Sequence, residues 1–154
     1  MSSKIFFKSL IFFSFIALSF AYFVEFILGH EPCNLCKIER IPYIGSIILG
    51  SLFLFINKWE KIILIFILLL FVFGSIISIY HVGIENGILS ETFLCDLGIN
   101  NNILNPDELL KTLEKAPISC KDVTFKIFGL SLATFNTVLS IVISYILLKL
   151  ILKK

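Results

Sequence analysis

Four long apolar stretches divide this chain, and its polar residues gather in the short segments between them. The stretches cover about 9–29, 38–57, 62–81 and 127–148. Apolar residues fall on every side of the helices these stretches would form, without the polar stripe that a water-soluble helix turns to solvent. A helix rises about 1.5 Å per residue, so roughly 20 residues cross a ~30 Å hydrocarbon core. The pattern predicts an all-α integral membrane protein. It is read as one domain, a four-transmembrane-helix bundle with two outward-facing loops at about 30–37 and 82–126. The second run is short between Ile41 and Asn57, and Cys36 to Arg40 can extend its helix into the interface. The first run also resembles a secretory signal, with Lys4 and Lys8 ahead of an apolar core and Ala17-Leu18-Ser19-Phe20-Ala21 as a loose cleavage site. Its apolar residues continue to Gly29, too far for a signal core, so an uncleaved span is expected.

Composition agrees with this pattern. Among 154 residues, 58% are hydrophobic and 16% charged, where soluble domains carry about 25% charge. The net charge of +2 carries no message about nucleic acid, and there is no Gly-rich phosphate loop, His-rich cluster or internal repeat. The distribution of cations is more informative. Lys4, Lys8, Lys58, Lys61, Lys149, Lys153 and Lys154 crowd three short stretches on the side of the termini. Lys37, Arg40, Lys111, Lys115, Lys121 and Lys126 are spread over the other side. Positive density in short loops near span ends marks the cytoplasmic face. Both termini are therefore expected on the cytoplasmic face, with the cysteine-bearing loops facing outward into an oxidising compartment, where disulfides persist. In the long loop, Asn105-Pro106-Asp107-Glu108 reads as a helix start, and Leu109, Leu110 and Leu113 as an apolar edge ending before Pro117. Such a helix would lie on the membrane surface or pack on the protein. Asn136, Ser140 and Ser144 form a polar stripe on the fourth span, which together with Gly45, Gly50 and Gly74 suits helix–helix packing.

The conspicuous reactive groups are Cys33, Cys36, Cys95 and Cys120. Cys33-Asn34-Leu35-Cys36 is a C-x-x-C motif at the mouth of the second span. Two intervening residues let the sulfurs meet across one helical turn, and a helix N-terminus stabilises a thiolate, the form that attacks an electrophile. Lys37 and Arg40 add positive charge, Arg40 on the same helix face as Cys36. Structural zinc sites usually pair two such motifs, and none follows here, so no metal is expected. A disulfide between residues this close closes almost no loop and removes little unfolded-state entropy. The pair reads as a redox switch. Cys95 and Cys120 enclose a long loop and would serve as a staple; beside the first pair, exchange between the two becomes possible through a mixed disulfide. A lipid-soluble quinone near Cys36 would be the electron sink.

The run Pro32-Cys33-Asn34-Leu35-Cys36-Lys37-Ile38-Glu39-Arg40-Ile41-Pro42-Tyr43 resembles the first outer loop of the disulfide bond formation protein B (DsbB) family. Gly129-Leu130-Ser131-Leu132-Ala133-Thr134-Phe135-Asn136 resembles the start of that family's fourth span. The resemblance implies a membrane oxidoreductase that reoxidises a DsbA-like thioredoxin-fold partner and passes the electrons to ubiquinone or menaquinone. It implies that the partner attacks Cys95, that Cys120 then engages Cys33, and that Cys36 is freed as a thiolate beside the quinone with Arg40 stabilising it. DsbA lies near about −120 mV, so only a more oxidising acceptor can recharge it. Glu39 falls in the matching motif and is expected at the cofactor with Arg40 and Glu25, and His81 stands where the family places a histidine near the quinone. Glu25 is a departure, since the family tends to carry a neutral glutamine eight residues before the first cysteine. It tunes the quinone or pairs with Arg40.

Two other classes compete. A disulfide-stapled tetraspan protein without turnover would use the same cysteines structurally. A small metal transporter would need acidic or His ligands within the spans, where only Glu25 offers itself. The vitamin K epoxide reductase family moves electrons similarly but carries its C-x-x-C late in the bundle.

Overall fold

The computed structural model describes residues 3–56, 58–90, 95, 119–121, 125–127 and 129–153. The helix expected around 105–113 lies outside the described residues, as do Lys111 and Lys115. Helix α1 covers Ser3–Phe26, the short α2 Asn34–Ile38, α3 Ile41–Ile56 and α4 Glu60–Glu85. A two-stranded hairpin, β1 Lys126–Ile127 and β2 Leu130–Ser131, leads into α5, Leu132–Leu152. With α2 and α3 taken together, four helical segments are long and apolar enough to cross a membrane: Lys4–Phe26, Asn34–Ile56, Glu60–Glu85 and Leu132–Leu152. The described chain is an all-α four-helix membrane protein with one small hairpin.

Two local signals explain where the second and fourth spans start. The helix breaks at Glu39 and Arg40 and restarts at Ile41, which puts Pro42 in the first turn of α3, where a missing N–H costs no helical bond. The fourth helix begins at Leu132, although the apolar run starts at Ile127. The intervening residues pair as antiparallel strands, Lys126 with Ser131 and Ile127 with Leu130, around Gly129 at φ +83°. A side chain rarely tolerates that φ. Ser131 then caps α5, its hydroxyl accepting from the Thr134 N–H at 3.2 Å.

Helix α4 is the hub, packed against α5 on one side and α3 on the other, while α1 packs on α3. One buried cluster joins all four spans through Phe7, Tyr43, Phe53, Ile67, Phe71 and Leu147. Phe7 stacks on Phe53 with ring centroids 4.2 Å apart. Outside this core, Phe12, Phe15, Phe55, Phe66 and Leu69 are exposed. In a membrane these side chains meet acyl chains instead of water. Polar side chains join helices in the interior: the Ser14 and Ser46 hydroxyls lie 2.7 Å apart, linking α1 to α3.

At Gly74, α4 runs close against α3. A Cβ there would sit 2.7 Å from Cγ of Pro42, an atom of a rigid ring. Gly74→Ala must therefore separate the helices, and overpacking of this kind costs about 1–3 kcal/mol. We expect a clear drop in the thermal midpoint of the detergent-solubilised protein. An unchanged midpoint would mean that this contact yields easily.

Candidate redox site

The second buried cluster lies at one end of the bundle and contains three of the four cysteines: Cys33, Cys95 and Cys120, with Leu35 and Ile84. Cys36 packs on its edge. Cys95 and Cys120 are disulfide-bonded with Cα atoms 5.9 Å apart, and Cys33 and Cys36 are unbonded. The side-chain amide of Asn34, between the C-x-x-C cysteines, donates to the Cys95 carbonyl at 3.0 Å. This bond ties the loop disulfide to the motif.

Cys33 is the N-cap of α2, and its sulfur accepts the Cys36 N–H at 3.3 Å. The Cys36 sulfur is 2.8 Å from that of Cys33, and Nε2 of His81 on α4 is 3.5 Å away. The Cys36 side-chain hydrogen bond is the chief reason the Cys33 thiol is held down to about 4. Burial opposes this shift, and the hydrogen bond and charge of His81 add to it. Cys33 is thus the sulfur that this corner keeps as a thiolate. The sequence directs attention to Cys36 and Arg40, whereas the groups gathered around an anion surround Cys33.

Glu39 and His81, both expected from the sequence at the cofactor, form one unit. His81 Nδ1 lies 2.9 Å from Oε1 of Glu39, and both side chains are buried. The other carboxylate oxygen accepts from the Asn136 amide at 3.0 Å. Asn136 in turn accepts from the Tyr43 hydroxyl at 2.6 Å. Glu85 approaches the ring from the other side, Oε1 3.7 Å from Nε2, and accepts from the Ser131 hydroxyl at 2.5 Å. Arg40 and Glu25 pair with each other at 2.5 Å between α1 and the start of α3, and the guanidinium stands 4.7 Å over the Tyr22 ring. Glu85 stands in no motif of the sequence, although its place four residues after His81 puts it on the same helix face. Tyr43 and Asn136 had no such signal, since they meet across 93 positions.

These groups border a cavity of about 330 Å³. Its apolar walls come from α1 (Ala17, Phe20, Val24) and α5 (Leu132, Phe135, Leu139). Cys33, Cys36, Glu39, Arg40, His81 and Glu85 form its polar end, and Cys120 reaches it as well. Glu25 holds Arg40 without being among the residues that line the cavity. Among the described residues, one metal-capable group stands out: ligand atoms of Cys33, Cys36 and His81 lie within 4.8 Å of one another. The same three atoms make up the thiolate–imidazole contact.

Residues 3–150 match the family described as disulfide bond formation protein DsbB. This chain belongs to the DsbB family. It is also 36% identical over 130 residues to an uncharacterized protein, RP370, of Rickettsia prowazekii (strain Madrid E), covering 83% of this chain and 76% of that one. No solved structure matches it. Membership of the DsbB family makes the chain a multi-pass membrane protein of a disulfide-forming oxidoreductase family.

Proposed function

We propose that this DsbB-family protein is a quinone-dependent protein-dithiol oxidase of the bacterial inner membrane. It restores a DsbA-like partner to its disulfide form, with both termini cytoplasmic and the cysteine corner periplasmic. The observation that carries this reading is the meeting of both cysteine pairs in one buried cluster at the mouth of an apolar cavity.

The exchanges balance in thiols and disulfides. A thiolate of the reduced partner attacks Cys95, and Cys120 leaves as a thiolate. Cys120 attacks Cys33 of an oxidised C-x-x-C pair, and Cys36 leaves. The partner's second thiol resolves its mixed disulfide, departing oxidised and freeing Cys95. Cys95 then attacks Cys120, re-forming their bond and releasing Cys33. The electron pair now rests on Cys33 and Cys36, the bonding pattern found in the structure. Cys33 is the leaving group of the last step, and the N-cap contact and His81 favour its departure as a thiolate.

The cavity suits a flat apolar ring with two polar edges: apolar side chains form its walls, and Arg40 and His81 reach its polar end. When bound, a quinone supplies a two-electron, two-proton acceptor there. Arg40 and His81 would hold it, with Glu25 and Glu39 fixing their orientation. His81 is also placed to take a proton from Cys33, with Glu39 behind it to steady the imidazole.

The test is catalytic. Purified protein in lipid nanodiscs, given ubiquinone or menaquinone and a reduced DsbA-class dithiol, should consume quinone as the partner is oxidised. In intact spheroplasts, impermeant maleimide added outside should reach the reduced cysteines. Absence of quinone loss, or labelling from the cytoplasm, would favour a stapled tetraspan protein instead.

A further inference from the structure

Asn136 stands one contact further from the sulfur than any residue the proposed chemistry uses. It comes from α5, yet its amide ties together side chains of two other spans. Its Nδ2 donates to Glu39 at 3.0 Å and lies 3.4 Å from the Ser78 hydroxyl of α4. Its Oδ1 accepts from Tyr43 of α3 at 2.6 Å. The Tyr43 hydroxyl thereby decides which end of the amide faces Glu39, since an O–H donor binds the oxygen and leaves the nitrogen for the carboxylate. With Oε2 engaged, Oε1 is left to receive the Nδ1–H of His81. A ring that donates through Nδ1 presents Nε2 to Cys33, an acceptor for the thiol proton and, once protonated, a donor to the thiolate.

We propose that Asn136, held by Tyr43, is a positioning residue that sets the acidity of Cys33 through Glu39 and His81. Its hydrogen bonds go to Tyr43, Glu39 and Ser78, and to neither sulfur. Its action is orientation. Without the amide, Glu39 can turn from the imidazole, His81 loses its fixed tautomer, and Cys33 loses part of its support as an anion. The titratable groups facing Cys33 are Cys36 and His81 directly, and Glu39 and Glu85 through the ring. Arg40 is engaged by Glu25.

This inference rests on the thiol-oxidase reading, and its test separates the two. The probe is iodoacetamide on the fully reduced chain, with Cys33 modification followed peptide by peptide against pH and quinone turnover measured alongside. Asn136→Leu, similar in size and without the donor, should raise the Cys33 midpoint by about one unit, which is about tenfold less thiolate at low pH. Tyr43→Phe should shift it in the same direction by less, because the amide remains but can flip. It also covers the case in which Asn136→Leu does not fold. Turnover by the wild type together with an unmoved midpoint in the folded variants would overturn the role of Asn136 while leaving the oxidase reading intact. A wild type that consumes no quinone would sink that reading, and the midpoint comparison would still decide whether Asn136 governs Cys33.

Discussion

Cys36→Ser is expected to lower steady-state quinone reduction by at least about 10³-fold while leaving the fold intact. The size follows from the chemistry. A serine hydroxyl cannot form a disulfide with Cys33, so the pair that carries two electrons no longer exists. Single-turnover catalysis distinguishes this from unfolding, because Cys95 and Cys120 remain bonded and buried. One equivalent of reduced partner should still be oxidised by that disulfide, after which the reaction should stop. Cys95→Ser should give the complementary result: no burst with partner, but an intact Cys33–Cys36 pair that a small dithiol can still reduce. If Cys36→Ser turned over quinone at the wild-type rate, the proposed path of electrons would be wrong. The measurement is quinone absorbance in nanodiscs, with partner oxidation followed by gel shift.

How far the sequence leads depends on which forces act locally. The spans were legible because lipid removes the need for a polar face, so length and apolarity suffice to mark them. The start of α5 was not, because Ile127 is as apolar as the residues that follow, and only strand pairing across Gly129 keeps it out of the helix. At the site, the C-x-x-C motif and Arg40 announce themselves by spacing and charge. The pairing of Glu25 with Arg40 was one of two options the sequence left open, and the structure takes it. The polar chain from Cys33 through His81 and Glu39 to Asn136 and Tyr43 had no such signal. It spans 48, 42, 97 and 93 positions at its successive contacts, and nothing in periodicity tells which polar atom of one buried helix meets which of another. Asn136 looked like part of a packing stripe with Ser140 and Ser144, and its bonds to Glu39 and Tyr43 give it a second reading.

The second large effect concerns pH. Cys33 is lowered from 9.0 to about 4, so in the reduced protein it should stay ionised down to about pH 4 and lose its charge only below that. The sign is that of a depressed acid. Any stability linked to this thiolate is fully present above the unfolded value near 9 and is lost as pH falls through the folded value near 4. Reactivity makes the sharper test. At pH 5 an unperturbed thiol is about 10⁻⁴ ionised and Cys33 mostly ionised, a gap of about 10⁴ in thiolate. A weakly basic thiolate is also a poorer nucleophile, with a Brønsted slope of about 0.4–0.5, which removes roughly two powers of ten over five units. Reduced Cys33 should therefore be alkylated about 10²-fold faster than an unperturbed thiol peptide at pH 5, and more slowly than it above pH 9. Cys36→Ala, which removes the strongest of the hydrogen bonds to the sulfur, should erase most of the low-pH advantage, and His81→Ala should erase part of it. A Cys33 rate that instead falls tenfold for every unit below pH 9 would show that this corner holds no thiolate, and the N-cap, Cys36 and His81 contacts would then need another purpose.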